Sequence, residues 1–302
     1  MEKRRIIPDS PSGSNPDRAA VAALLAGAIV WGLIWYPYRA LAGLGISGVA
    51  AATVTYGVAL AGAALIWRRA LRGLRPSWAL AAIGLSAGGC NLGYVVGTLH
   101  GEVMRVLLLF YLAPLWTVLL SRLLLGERLN RAGAAVIALS LAGAATMLWH
   151  PELGAPWPSN GAEWVGLAAG FLFALSNVLA RGAPELPIEA KSAAIFLGAV
   201  LVGAALLPFS GGLPVARLAA ADALLLVALT GLVLLAINLV VQHGLAHTPA
   251  NRAIVIFLFE LVVAAVSSWW LAGEAMGPKE WLGGAMIVAA SLFSGRLGGK
   301  SG

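Results

Sequence analysis

The apolar residues of this chain are gathered into ten runs of about 20 residues each, covering residues 19–43, 48–68, 78–99, 102–125, 131–149, 161–182, 190–209, 222–244, 251–272 and 279–297. A helix of that length crosses about 30 Å of hydrocarbon, and none of the runs alternates with the period of two that a barrel strand requires. Hydrophobic residues make up 60% of the sequence and charged residues 11%, more apolar surface than a water-soluble domain can bury. The chain therefore reads as an all-α integral membrane protein with ten transmembrane helices. A polar tail carrying Arg4, Arg5, Asp9 and Asp17 precedes the first run, and no small-residue cleavage pattern follows a short apolar core, so no removable signal peptide is expected.

The basic residues orient the bundle. If the N-terminus is cytoplasmic, 16 of the 20 Lys and Arg fall on cytoplasmic segments, leaving only Arg39, Arg105, Arg217 and Lys279 outside. Both termini are expected in the cytoplasm, and the net charge of +7 is read as membrane-surface charge facing lipid, with no nucleic-acid partner. The single Cys90 lies within the third run and excludes an internal disulfide or a Cys-rich metal site.

A repeat runs through this pattern. Asn91, Leu92, Gly97, His100, Arg105 and Phe110 recur 147 positions later as Asn238, Leu239, Gly244, His247, Arg252 and Phe257, and Gly84, Ser121, Gly126 and Glu127 recur as Gly231, Ser268, Gly273 and Glu274. Paired Asn, His, Arg and Glu are scarce in such a chain and point to duplication. A shift of 142 sets Trp31, Gly32 and Arg39 against Phe173, Ala174 and Arg181, so each unit holds five spans. Five is odd, so the second copy enters the membrane in the opposite sense; inverted repeats of this kind often build secondary transporters with a site near the midplane. The expected organisation is a cytoplasmic tail (1–18), a first five-helix repeat (19–149), an extracytoplasmic link (150–160), a second repeat (161–297) and a short cytoplasmic tail (298–302).

Two stretches, FYLAPLWTVLLSRLLLGERL at residues 110–129 and TPANRAIVIFLFELVVAAVSSWWLAGE at residues 248–274, resemble the paired signature of the drug/metabolite transporter superfamily in its ten-helix EamA-type branch. The resemblance covers nearly the whole chain, and its loose motifs gain weight by recurring in both halves. It implies an exporter of small metabolites in the bacterial cytoplasmic (inner) membrane, with the YddG-type amino-acid exporters as the nearest model. One departure stands out: the family often has Pro after the glutamate of the ninth span, and here Leu261 follows Glu260, so the bend that such a Pro implies is not carried over.

Glu260 lies near the middle of the ninth span, where an ionisable residue is a functional candidate for proton coupling or amine recognition; a structural lock is the alternative. Asn91 and Asn238 are near-symmetric candidates for substrate contact and equally for interhelical hydrogen bonding. Tyr94, Tyr111 and Trp116 share two helices with Asn91 and supply candidate apolar walls for a substrate side group, packed aromatics being the commoner case. Arg105 and Arg252 stand in the first turns of spans four and nine, where a cation opposes the helix dipole; lipid phosphate or a substrate carboxylate at the pathway mouth is the expected partner. His100 and His247 end spans three and eight as helix caps, and Glu127 and Glu274 read as surface anchors of the repeat. Pro37 and Pro114 interrupt spans one and four as hinges or fixed kinks.

An enzyme would need paired acids, an activated nucleophile or metal-ligand spacing. The acids are scattered and no Cys-x-x-Cys is present, so catalytic residues, metal and cofactor are all set at none. The expected function is alternating-access export of amphipathic metabolites, most of all amino acids with aromatic or other apolar side chains. The proton is the candidate coupling ion, lipid is the surrounding partner, and the oligomeric state is open, a monomer being one option. The rival readings are an exchanger of nucleobases or phosphate esters and a structural or lipid-moving protein.

Overall fold

The computed structural model describes residues 16–72, 77–101, 103–149, 152, 157–273 and 276–294. Nearly all of the 1–18 tail, the 298–302 tail, part of the 150–160 link and Glu274 lie outside the described residues. Among those described there is no strand, and nine helices are long and apolar enough to cross a membrane: Arg18–Gly43, Gly48–Ile66, Trp78–His100, Arg105–Leu125, Arg131–Leu148, Gly161–Gly182, Ile188–Phe209, Ala221–His247 and Ala250–Leu271. The tenth expected span is a helix over Pro278–Phe293, 16 residues long. These are spans one to ten below. Helices dominate because hydrocarbon offers no partner for a free backbone N–H or C=O. The first-turn amides at four span starts are met by side chains: the Ser47 and Ser77 hydroxyls accept from Ala50 N and Leu80 N, and the Asn130 and Asn160 carbonyl oxygens accept from Gly133 N and Glu163 N.

The packing of the spans follows a two-fold rule. Span three packs on spans six and seven, and span eight packs on spans one and two. Span four lies on span six as span nine lies on span one, while the pairs two and seven, five and ten are their own counterparts. Renumbering each span by five maps this list onto itself, which is what inverted five-helix repeats require. The halves interlock, each helix leaning on the other repeat. Repeated glycines mark the contacts. A Cβ on Gly84 would collide with the Ala194 carbonyl of span seven, and one on Gly231 would stand 2.7 Å from the Thr55 carbonyl of span two. Small residues let membrane helices approach this closely where the hydrophobic effect cannot drive them together. Gly126 and Gly273 end spans four and nine in the same left-handed conformation, φ +68° and +67°.

Three spans are broken. Span one consists of helices Pro16–Leu33 and Trp35–Gly43, and span four of Val103–Phe110, Ala113–Leu120 and a π-helical turn over Ser121–Leu125. A proline ring clashes with the carbonyl four residues earlier, and four before Pro37 is Leu33, four before Pro114 is Phe110. Each first segment ends on that residue. The interruptions that accompany Pro37 and Pro114 therefore lie one turn earlier, at Ile34 and at Tyr111–Leu112. Span nine is broken too, into Ala250–Phe257 and Phe259–Ala272, although it has no proline. Its first segment ends four residues before Leu261, the position aligned with Pro114 by the 147-residue shift, and the Leu261 amide turns back to Leu258 O at 3.1 Å.

Candidate functional site

The breaks of spans four and nine meet inside the bundle. Tyr111 occupies the gap of span four, and Glu260 stands in the first turn of the helix that restarts span nine. The Tyr111 hydroxyl donates to Glu260 Oε1 at 2.5 Å, a length typical of a hydroxyl bound to a carboxylate. The break also places Glu260 in the first turn of a helix, where the helix dipole favours negative charge. A polar pair is thereby formed within an apolar cluster that includes Cys90, Leu108, Leu258 and Leu261, with Tyr94 packed against it.

An aromatic row extends from this pair. Tyr94 meets Phe110 edge to face at 5.3 Å between ring centroids, Phe110 meets Tyr111 at 5.2 Å and Phe173 at 5.7 Å, and Phe173 meets Phe257 at 5.7 Å. The row crosses spans three, four, six and nine. Phe173 was not among the expected site residues; its pairing with Trp31 at a shift of 142 was the available signal. A second polar tie joins spans one and nine: Trp35 Nε1 donates to Ser267 Oγ at 3.0 Å.

The other expected residues are distributed less evenly. Asn91 is engaged at both ends of its amide, accepting from the Tyr56 hydroxyl at 2.9 Å and donating to Ala87 O at 2.8 Å. Asn238, its counterpart, is buried at 8% exposure, and its Oδ1 has no hydrogen-bond donor among the described residues. Trp116 packs edge to face on Phe171 of span six at 5.5 Å, with Nε1 likewise unbonded. An open groove of about 470 Å³ lies between Leu65–Ala70 and Glu189, at the ends of spans two and seven, and does not reach Glu260 or either Asn.

At the bundle ends the charges find protein partners. Arg105 forms a forked ion pair with Glu163, Nε to Oε1 at 2.8 Å and Nη2 to Oε2 at 3.0 Å, and also donates to Trp157 O at 2.9 Å. The partner is a carboxylate of span six, where lipid phosphate or substrate had been expected. Glu163 is 1% exposed and further accepts from Ser159 N at 2.7 Å and Asn160 Nδ2 at 2.8 Å. The Asn160-x-x-Glu163 spacing just ahead of an apolar run was its legible signal. Arg252, the counterpart of Arg105, is half-buried in the first turn of span nine.

At the other end Glu127 caps the opposite repeat. Its carboxylate accepts from the first amide of span nine, Ala250 N at 3.1 Å, with Arg181 Nε at 3.8 Å, while Ser121 Oγ donates to Asn251 Oδ1 at 3.2 Å. Arg181 also donates to Ala246 O. His100 and His247 hold Nδ1 at 2.9 and 2.8 Å from the carbonyls of Val96 and His243, as end caps. His243 and His247 stand in a His-x-x-x-His spacing, with ring centroids 4.4 Å apart. Among the described residues no third His, Cys, Asp or Glu joins them to hold a metal.

Comparison with known proteins agrees with this architecture. The model of the EamA-like transporter family matches residues 18–149 and again residues 160–296. A riboflavin transporter from Rhizobium johnstonii is 29% identical over 223 residues, covering 71% of this chain and 67% of its own. A probable terminal-alkyne amino-acid exporter from Streptantibioticus cattleyicolor is 28% identical over 290 residues, covering 92% and 93%. A crystal structure with 18% identity superposes with a TM-score of 0.73 over 94% of this chain and 99% of that one, a likeness of fold. Matched once in each half, the chain belongs to the EamA-like transporter family of the drug/metabolite transporter superfamily.

Proposed function

We propose that this transporter exports small amphipathic metabolites, foremost amino acids with aromatic or other apolar side chains, across the bacterial cytoplasmic membrane by alternating access between its two repeats, with both termini cytoplasmic and no catalytic step. The observation that carries the reading is the Tyr111–Glu260 pair at the meeting of two broken helices. A carboxylate there can receive an ammonium or carry a proton, and the adjoining aromatic row offers an apolar wall. Asn238, with its unbonded Oδ1, adds a polar contact. The likeness to an amino-acid exporter over more than nine-tenths of both chains supports the same substrate class.

A second reading has its own support. The likeness to a riboflavin transporter and the row of rings favour a planar heteroaromatic solute such as a nucleobase. Transport by the purified protein in liposomes, across a panel of amino acids and nucleobases with and without an imposed pH gradient, separates the two. Counterflow of apolar amino acids that responds to the gradient is the expected result; transport confined to heteroaromatic solutes replaces the first reading with the second, and absence of transport for the entire panel removes both.

A further inference from the structure

The groove between spans two and seven has a composition that the transport reading does not use. Span two ends at Ile66, Trp67 turns the chain, and a short helix Arg68–Arg72 follows. The groove walls are Leu65 to Ala70 on one side and Glu189, in the first turn of span seven, on the other. Leu65 and Ile66 are 75% and 67% exposed, so the apolar lip faces the hydrocarbon. Arg68 and Arg69 line the same groove, two and three residues past the end of the apolar span. Among the described residues, none of Arg68, Arg69 and Glu189 has an ion-pair or hydrogen-bond partner in the protein. At about 470 Å³ the groove has the size of a small-molecule site.

An arginine pair alone would attract any anionic lipid. Glu189 changes the selection, because a carboxylate on the same groove repels a second negative charge and favours a headgroup that brings its own cation. We infer that the groove holds one phospholipid whose headgroup joins a phosphodiester to a primary ammonium, as in phosphatidylethanolamine. The phosphodiester lies against Arg68 and Arg69, the ammonium donates to Glu189, and the acyl chains run over Leu65 and Ile66. A primary ammonium offers three N–H donors to the carboxylate, whereas a choline headgroup offers none. This inference is independent of the substrate carried.

The test is lipid binding by the full-length protein in detergent, read by native mass spectrometry and by the rise in melting temperature on titrating short-chain phosphatidylethanolamine, phosphatidylcholine and phosphatidylglycerol. One tightly retained phosphatidylethanolamine is expected, with phosphatidylcholine and phosphatidylglycerol weaker. The double variant Arg68→Ala/Arg69→Ala should weaken phosphatidylethanolamine binding by about tenfold, the loss that removing charge-assisted hydrogen bonds produces. Glu189→Gln should weaken phosphatidylethanolamine severalfold and leave phosphatidylglycerol unchanged or tighter. If the double variant does not fold, the Glu189→Gln pattern decides alone. Equal binding of all three headgroups by the parent protein, or a Glu189→Gln variant that keeps the preference for phosphatidylethanolamine, overturns the assignment.

Discussion

Spans one and six, and spans four and nine, are two pairs of repeat-related helices that treat proline differently. In the first pair span one has Pro37 and is broken, whereas span six has none and is continuous over Gly161–Gly182. In the second pair only span four has its proline, yet both helices are broken at equivalent residues, Phe110 and Phe257. The break of span one thus follows a local steric rule, while that of span nine, without a proline, coincides with the Tyr111–Glu260 bond and the turn from Leu261 N to Leu258 O. In span nine the break stands beside polar contacts, with no proline to impose it locally. Cutting those contacts should therefore matter more than exchanging the prolines.

The largest effect is expected at the end of span four. Arg105→Ala leaves the buried Glu163 without its cation and should cost about 3 to 5 kcal/mol, toward the low end because Ser159 and Asn160 still donate to it. Glu127→Gln, at the opposite end, keeps an acceptor for Ala250 N and should cost about 1 kcal/mol. Melting temperatures of the purified variants compare the two. If Arg105→Ala melts no lower than Glu127→Gln, the Arg105–Glu163 ion pair does not anchor span four.

Next in size is the centre. Glu260→Gln removes the ionisable carboxyl that accepts from the Tyr111 hydroxyl, and should lower transport about tenfold or more and flatten its dependence on pH, while Tyr111→Phe should lower it less and keep that dependence. Parental rates and parental pH profiles in both variants would falsify the site assignment and leave only the fold.

The two asparagines give a smaller contrast between the halves. Asn91→Ala strands the Tyr56 hydroxyl and should cost about 1 kcal/mol of stability. Asn238→Ala removes a buried acceptor that has no donor, so stability should stay level or rise while transport falls severalfold. The reverse pattern in melting and transport would exchange their roles.

Much of this was legible in the residues, for physical reasons. Hydrocarbon thickness writes itself into the sequence as apolar runs, and duplication survives at Gly126 and Gly273 because a left-handed terminus excludes most other side chains. Glu260 was legible because an acid at that depth is rare. What remained hidden depends on tertiary partners. Arg105 gives no sign in its own run that Glu163, 58 residues away, reaches it, and nothing near Leu261 shows that span nine is broken. The pairing of Asn91 with Tyr56, and the absence of such a partner for Asn238 Oδ1 among the described residues, likewise arise only when the helices are packed.

The finest effect tests the opening contrast at single amides. Pro37→Leu restores an N–H whose natural partner is the Leu33 carbonyl, and since the Trp35 to Ser267 tie joins span one to span nine through a side chain and leaves that backbone bond free to form, span one should close into a continuous helix. The amide at position 37 should then exchange slowly, as in a membrane-buried helix. Pro114→Leu restores an N–H as well, but span four is held by Tyr111 to Glu260 and at both ends by Arg105 and Glu127, so its break should persist as that of span nine does with Leu261. The amide at 114 should remain faster to exchange than the amide at 37, and each variant should change stability by about 1 kcal/mol, since the lost strain is offset by altered packing around the gap. Residue-resolved hydrogen exchange on the two variants makes the comparison. Equal protection at both positions would mean that proline alone sets the break in span four, and that the break in span nine has a separate origin.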